Sequence, residues 1–356
     1  MKIGIILHPY GEDKPAGLAR TIFELTKGMI TVDRENEYVI FLKKNPRVLP
    51  EFPGIRWKVE ILGGRYLWLR NLKRATPCDR YLFNTPVLPL GYKPKNAYVL
   101  ALDFAYVFFP PKGVKGRLLH RLTRWYHKRS LRRADGIIAI SEATARDVER
   151  LFGVARKQVR VVLCGFKKVC AAEQEPIALP EKFFLFVGIV KERKNVFNVV
   201  RGFRGLKHSE YKLVIGGNAQ GPYADSIRVY AREQGIEKRV IFIGHLHDGQ
   251  LSFIYRKAAA LVFPSFIEGF GYPVLEAMDC GLPVITSKST SLGEICRNNS
   301  AILVDPASSE EIKRAMERIV SEKGLREKLI QNGYRQSKNF SWEKAGREMI
   351  SAITKR

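Results

Sequence analysis

Short apolar runs rich in β-branched residues alternate with helical patterns along nearly the whole chain, and this alternation admits few folds. A strand that is apolar at every position is buried on both faces. In such a chain the covering layers are helices that carry each strand back beside a parallel neighbour. The reading is therefore α/β, with doubly wound, mostly parallel sheets. In the first half, strands are expected at 3–7, 38–42, 57–61, 79–83, 99–103, 136–140 and 159–162. In the second half they are expected at 183–187, 212–215, 240–243, 261–263, 284–286 and 302–304.

The chain has 356 residues, 46% of them hydrophobic, which is long for one core and apolar enough for two. Between the two sets of strands, KKVCAAEQEPIALP has no periodicity and contains two prolines. It is read as a linker at 166–180. The expected division is an N-terminal Rossmann-like domain at 1–165 and a C-terminal Rossmann-like domain at 181–338. A final helix at 339–356 is expected to cross back to the first domain. Ser308, followed by Glu310 and Glu311, reads as a helix cap, after which the chain should be helical to its end apart from a break near 339–341.

The formal net charge of +26 calls for a polyanionic neighbour. From residue 112 to 133 the segment KGVKGRLLHRLTRWYHKRSLRR carries many cations and no acid, with Leu118, Leu122, Trp125 and Tyr126 near helical spacing. Such a basic amphipathic helix suits an anionic membrane surface, with Lys115, Arg117, Arg121 and Arg124 as contacts. A helix that docks its apolar stripe on the sheet and leaves a solvated basic face fits the pattern equally well. Nucleic acid ranks last, because no recognised module accompanies the charge. No apolar run reaches the length of a spanning helix, and the opening residues lack a leader pattern, so a cytoplasmic protein, peripheral on the inner face of the cell membrane, is expected. The five cysteines are scattered and odd in number, without CxxC or metal-ligand spacing. They read as reduced packing residues, with no metal site.

In open parallel sheets ligands bind beyond the carboxyl ends of the strands, and the residues there are small or charged: Gly17, Asp103, Gly188, Gly216, Gly217 and Gly244. Taken singly, such glycines are ordinary turn residues. After the strand ending at Val187, a loop carries Lys191, Arg193 and Lys194 into a helix start near Asn195. Cations there oppose the helix dipole unless an anion sits beside them, and a donor diphosphate would supply one. An exposed basic loop in a basic protein accounts for the same residues. The segment LVFPSFIEGFGYPVLEAMDCGLPVI is more specific. Glu268 precedes a Gly269-Phe270-Gly271 loop whose amides can approach an oxygen-rich ligand closely. Glu276, about one turn into the next helix, can accept hydrogen bonds from vicinal hydroxyls such as those of a ribose.

With these segments the sequence resembles the family 4 retaining glycosyltransferases, which have the GT-B fold of two Rossmann-like domains facing across a cleft. The resemblance also takes in VGIVKERKN, RRADGIIAISEATARDV, LVIGG, VIFIGHL, ILVDPASSEEI and FSWEKAG. It implies that Arg193 and Lys194 bind the donor phosphates and Glu276 the ribose. It further implies that Glu268 and the amides of Gly269, Phe270 and Gly271 hold the transferred sugar, with Gly188 and Gly17 lining the donor site. The usual double glycine of the first loop is here Ala16-Gly17, and the usual His-Asp pair is Leu102-Asp103, which leaves Asp103 as the acceptor-side candidate. The expected activity is metal-independent, cofactor-free transfer of a sugar, with retention, from a GDP- or UDP-linked donor to a glycan or lipid-linked acceptor in surface polysaccharide or glycolipid synthesis. A nucleotide-sugar epimerase or hydrolase, and a catalytically silent nucleotide-sugar-binding protein, are the alternatives on the same fold.

Overall fold

Each of the thirteen apolar runs read as a strand forms one in the computed structural model, which describes residues 1–10, 17–65, 67–111 and 113–354. The chain divides into two units, Met1–Gly165 together with Phe340–Arg356, and Phe166–Asn339. The first unit runs β1 (Lys2–Ile6), α1 (Gly17–Val32), β2 (Glu37–Leu42), β3 (Trp57–Ile61), β4 (Arg80–Phe83), β5 (Ala97–Ala101), α2 (Ala105–Phe108), α3 (Val114–Arg133), β6 (Gly136–Ala139), α4 (Glu142–Phe152) and β7 (Val159–Val161). The second runs β8 (Phe183–Val187), α5 (Val196–Arg204), β9 (Lys212–Gly216), α6 (Pro222–Glu233), β10 (Val240–Gly244), α7 (Asp248–Lys257), β11 (Leu261–Phe263), α8 (Tyr272–Asp279), β12 (Val284–Ser287), α9 (Thr290–Ile295), β13 (Ile302–Val304), α10 (Ser309–Ser321) and α11 (Leu325–Ser337). A last helix, α12 (Trp342–Thr354), belongs to the first unit.

Both sheets are parallel and doubly wound. Their strand orders are β3-β2-β1-β4-β5-β6-β7 and β10-β9-β8-β11-β12-β13. The central strands are apolar and buried along their length, as a sheet with helices on both faces requires. In each sheet the order reverses beside the unit's first strand, between β1 and β4 and between β8 and β11. Loops diverge there and leave a crevice at the carboxyl edge.

Local chemistry sets the helix ends. Ser141 caps α4 by accepting from the Thr144 amide at 3.1 Å, and Gly153, at φ 65°, ends it. Ser308 caps α10 through the Glu311 amide at 3.1 Å. Helical structure after Ser308 breaks twice rather than once, since Gly324, at φ 78°, separates α10 from α11 before the expected break ahead of α12. None of the described helices is long and apolar enough to cross a membrane.

Two expectations need correction. Residues 166–180, read as a linker, are part of the second unit. Their short turn Val169–Ala171 is fastened to α7, where Arg256 donates to the Cys170 carbonyl at 2.9 Å and Ser252 to that of Ala172 at 3.3 Å. The cysteines are not all reduced either, because Cys170 and Cys280 form a disulfide with their Cα atoms 5.4 Å apart. Cysteines separated by 110 residues meet only through tertiary folding, so their spacing carried no signal. Cys78, Cys164 and Cys296 lie outside this disulfide, and burial pushes the Cys78 thiol up to about 12.

The first unit closes on α12 through glycines. A Cβ at Gly28 would meet the Trp342 carbonyl oxygen at 2.3 Å, and one at Gly346 would meet the Gly28 backbone at 2.5 Å. Helices α1 and α12 therefore approach backbone to backbone, as only glycine permits. Gly346→Ala should destabilise the protein by about 1–3 kcal/mol, the usual cost of overpacking. Urea denaturation would show this as a lower midpoint at unchanged slope.

Candidate active site

In the second unit the carboxyl ends of β8, β9 and β10 form a glycine ledge. The Gly188 amide donates to the Gly216 carbonyl at 2.9 Å, and Gly217 donates to that of Gly244. Gly217 has φ 119°, and a Cβ there would lie 2.2 Å from the Gly188 carbonyl oxygen. The position therefore demands glycine for both conformation and space.

The strands beside the order reversal contribute the charged groups. The loop after β8 forms a short 3₁₀ turn, Glu192–Lys194, and the loop after β11 runs from Pro264 through Glu268 to Gly271. Phe266 donates its amide to the Arg193 carbonyl at 2.9 Å, which joins the loops by backbone. Asn195 secures them. It is buried, at φ 61°, and its side-chain amide donates to the carbonyls of Pro264 at 2.9 Å and Pro306 at 2.6 Å. The helix start near Asn195 is thus capped by left-handed backbone, while the side chain ties three loops together.

Above this brace the Glu268 carboxylate receives both cations. Lys194 Nζ lies 2.5 Å from Oε1 and Arg193 Nη1 lies 3.4 Å from Oε2. Arg193 also reaches the Ile267 carbonyl at 3.3 Å, and Lys194 sits 4.8 Å from the centre of the Phe263 ring. The Lys194 and Glu268 side chains are only 12% and 9% exposed, so the attraction is weakly screened. The anion demanded by cations at this helix start is therefore internal. Glu268, expected to take sugar hydroxyls, has both oxygens engaged by cations.

Gly269, Phe270 and Gly271 follow, buried, and lead into α8. Gly271 has φ 112°, and a Cβ there would meet Leu292 at 2.5 Å, while Pro273 lies in the first turn of α8. On α8, Glu276 Oε2 accepts from the Tyr255 hydroxyl of α7 at 3.3 Å. Burial first, and then the Glu276 carboxylate, push that hydroxyl well above the phenol range, so it remains a donor. Tyr255 and Asn195 position these groups, and neither was singled out from sequence. Tyr255 is one aromatic among many in a helical pattern, and Asn195 stood out only as a cap. Ser291, which donates to the Glu268 carbonyl at 2.9 Å, was also missed.

In the first unit Gly17 begins α1, whereas its partner in the first loop, Ala16, lies outside the described residues, as does Lys112 of the basic segment. Asp103 is exposed just beyond β5, and its Oδ1 accepts from the Ala105 amide at 3.0 Å, shaping the turn into α2. The apolar stripe of α3 is not docked on the sheet. Val114, Leu118, Leu119, Leu122 and Trp125 are 55–79% exposed, beside the basic side chains. The opposite face packs inward, through Tyr126 donating to the Leu88 carbonyl at 2.7 Å and His127 Nδ1 lying 2.9 Å from the Tyr106 hydroxyl. Burial lowers His127 to about 4, so the ring is neutral near pH 7. Among the described residues no group of three or more His, Cys, Asp or Glu is placed to hold a metal ion.

Sequence models of two families match, "Glycosyltransferase Family 4" at residues 104–167 and "Glycosyl transferases group 1" at residues 171–336. The chain is a glycosyltransferase, similar in sequence to both families. The second match spans the Arg193–Lys194 loop, the Glu268 to Gly271 loop and α8. Among relatives, the transferase is 26% identical over 285 residues to an Escherichia coli O-antigen chain mannosyltransferase B, covering 76% of this chain and 74% of that protein. It is 29% identical over 237 residues to the E. coli serotype-specific mannosyltransferase WbdA, of which the match spans only 29%, against 63% of this chain. Among solved structures, Anabaena HepE in complex with UDP and glucose superposes with TM-score 0.76 at 15% identity, over 100% of this chain and 99% of that one. Sucrose-phosphate synthase from Thermosynechococcus elongatus gives 0.75 at 20% identity, over 98% and 97%. At these identities the structures establish the shared GT-B class of two Rossmann-like domains.

Asn195 supplies a test of how the site is held. Asn195→Ala removes both carbonyl contacts and places a β-carbon in left-handed backbone, and should cost about 2–4 kcal/mol. Asn195→Gly, at ease with that backbone, should lose less. Denaturation of both variants would separate the two causes.

Proposed function

We propose that this glycosyltransferase moves a sugar from a GDP- or UDP-linked donor to a glycan or lipid-linked acceptor, with retention and without a metal ion, in surface polysaccharide synthesis. The observation that carries the reading is the convergence of Lys194 and Arg193 on Glu268 at the reversal between β8 and β11. Two cations are held there at the one edge of the sheet where an open α/β fold admits a ligand. A donor diphosphate would compete with Glu268 for them and free its carboxylate for sugar hydroxyls. The amides of Gly269, Phe270 and Gly271 would support the sugar, the ledge from Gly188 would admit the diphosphate, and Glu276, aligned by Tyr255, would take the ribose.

In this mechanism the bond between the anomeric carbon and the phosphate oxygen breaks with its electron pair passing to the phosphate. Arg193 and Lys194 offset that charge as it develops. The acceptor oxygen adds to the same face, and its proton passes to the leaving phosphate oxygen, so no protein nucleophile is required. Asp103 and Gly17 remain proposals for the acceptor and donor sides. The relatives' names favour mannose as the sugar and a bacterial O-antigen type of glycan as the product.

Helix α3 supports an anionic membrane as the place where the acceptor is met. Its outward face combines five exposed apolar side chains with Lys115, Arg117, Arg121 and Arg124, the pairing that holds a helix in a lipid headgroup layer.

Release of one nucleotide from a panel of nucleotide sugars should depend on acceptor. Lys194→Ala should lower kcat by about 10²–10³, as loss of one transition-state donor does. Glu276→Ala should act mainly on donor KM, by about 10–100-fold. Release without acceptor, or an inverted anomer by NMR, would refute the scheme. Replacing Lys115, Arg117, Arg121 and Arg124 together with Gln should weaken sedimentation with anionic vesicles by about 1 kcal/mol per charge, and unchanged binding would remove the membrane from the proposal.

A further inference from the structure

The Cys170–Cys280 disulfide lies within a short chain of contacts to Glu276. Cys280 ends α8, and its amide donates to the carbonyl of Glu276 itself at 3.1 Å. Cys170 lies in the turn Val169–Ala171, which is fastened to α7 on either side of Tyr255, by Ser252 through Ala172 and by Arg256 through Cys170. Tyr255 completes the ring of contacts by donating to the Glu276 carboxylate. Helix α7 is thus bonded both to the turn and to α8, and the disulfide joins turn and helix covalently. Opening the bond removes the covalent tie between the C-terminal end of α8, one turn beyond Glu276, and the turn fastened to α7.

We propose that Cys170 and Cys280 form a redox clasp that sets the affinity of the site for a nucleoside diphosphate, tight when oxidised and weak when reduced. The proposal rests on the reading of Glu276 as the ribose ligand. Cys280 is nearly buried and Cys170 partly exposed, so an incoming thiolate has a sulfur to attack. The exchange balances with a small dithiol as reductant: the S–S bond accepts two electrons and two protons, two protein thiols form, and the dithiol becomes a disulfide. In a reducing compartment a bond of this kind is a switch rather than a permanent staple. The remaining cysteines have no part in it.

The test compares aerobically purified wild type before and after dithiothreitol, with thiols counted by mass spectrometry and GDP and UDP titrated by calorimetry. Reduction should raise the Kd of the bound nucleotide at least about fivefold, the lower end of ordinary coupling between sites. Hydrogen exchange should rise across residues 272–280. Cys170→Ser should behave as the reduced form in either condition and ignore the reductant. Equal Kd values in both redox states, even with a lower Tm after reduction, would make the bond a structural staple and overturn the proposal. So would a reductant effect that persists in Cys170→Ser, or free thiols at both positions in the aerobic protein. If neither nucleotide binds in either state, the nucleotide-sugar reading falls and control of nucleotide affinity falls with it. Binding with equal affinity, by contrast, removes the clasp and leaves that reading standing.

Discussion

The carboxylate of Glu268 balances the charge of two cations that the fold brings to one edge of the second sheet. Lys194 and Arg193 leave β8, Glu268 leaves β11, and about half of the second unit lies between them in sequence. Two cations at a helix start, one of them nearly buried, repel each other and the adjacent dipole. Without an anion that repulsion would go unbalanced. Glu268 supplies the anion from within, and the Phe266 and Asn195 bonds fix the two loops independently of it. The loops are therefore held in place within the unit, with their charge balanced internally.

Around this pair the fold provides space rather than chemistry. The glycines at the ends of β8, β9 and β10 lie so close that a side chain at Gly217 would strike the Gly188 carbonyl. Gly271 is pressed in the same way against Leu292. Such positions keep the carboxyl ends of these strands clear of side chains. The first unit uses glycine for another purpose, to let α1 and α12 meet along their backbones and bring the end of the chain home.

The excess of positive charge has separate destinations. Some of it is structural, as where Arg80 and Arg160 donate to the last carbonyls of α12. The pair held by Glu268 is a second use. The largest uninterrupted share lies on α3, where it borders an apolar face left in solvent. Charge in solvent needs no special reason, but five large apolar side chains on one outward face do.

The sequence by itself determined the strands, the parallel doubly wound class and the loops that carry Arg193, Lys194 and Glu268. Continuous apolar runs can only be central strands, and turn residues collect at their ends for local steric reasons. The resemblance carried by the Glu268 to Glu276 segment pointed to the glycosyltransferase families whose models the chain matches. Only the tertiary structure decided who partners whom. That Glu268 neutralises Lys194, that Tyr255 orients Glu276, that Asn195 ties three loops, and that Cys170 reaches Cys280 all depend on contacts between residues tens of positions apart. No local pattern encodes such contacts. The outward turn of the α3 stripe was undecidable for the same reason, since an amphipathic pattern records that a helix has two faces and not which of them meets the sheet.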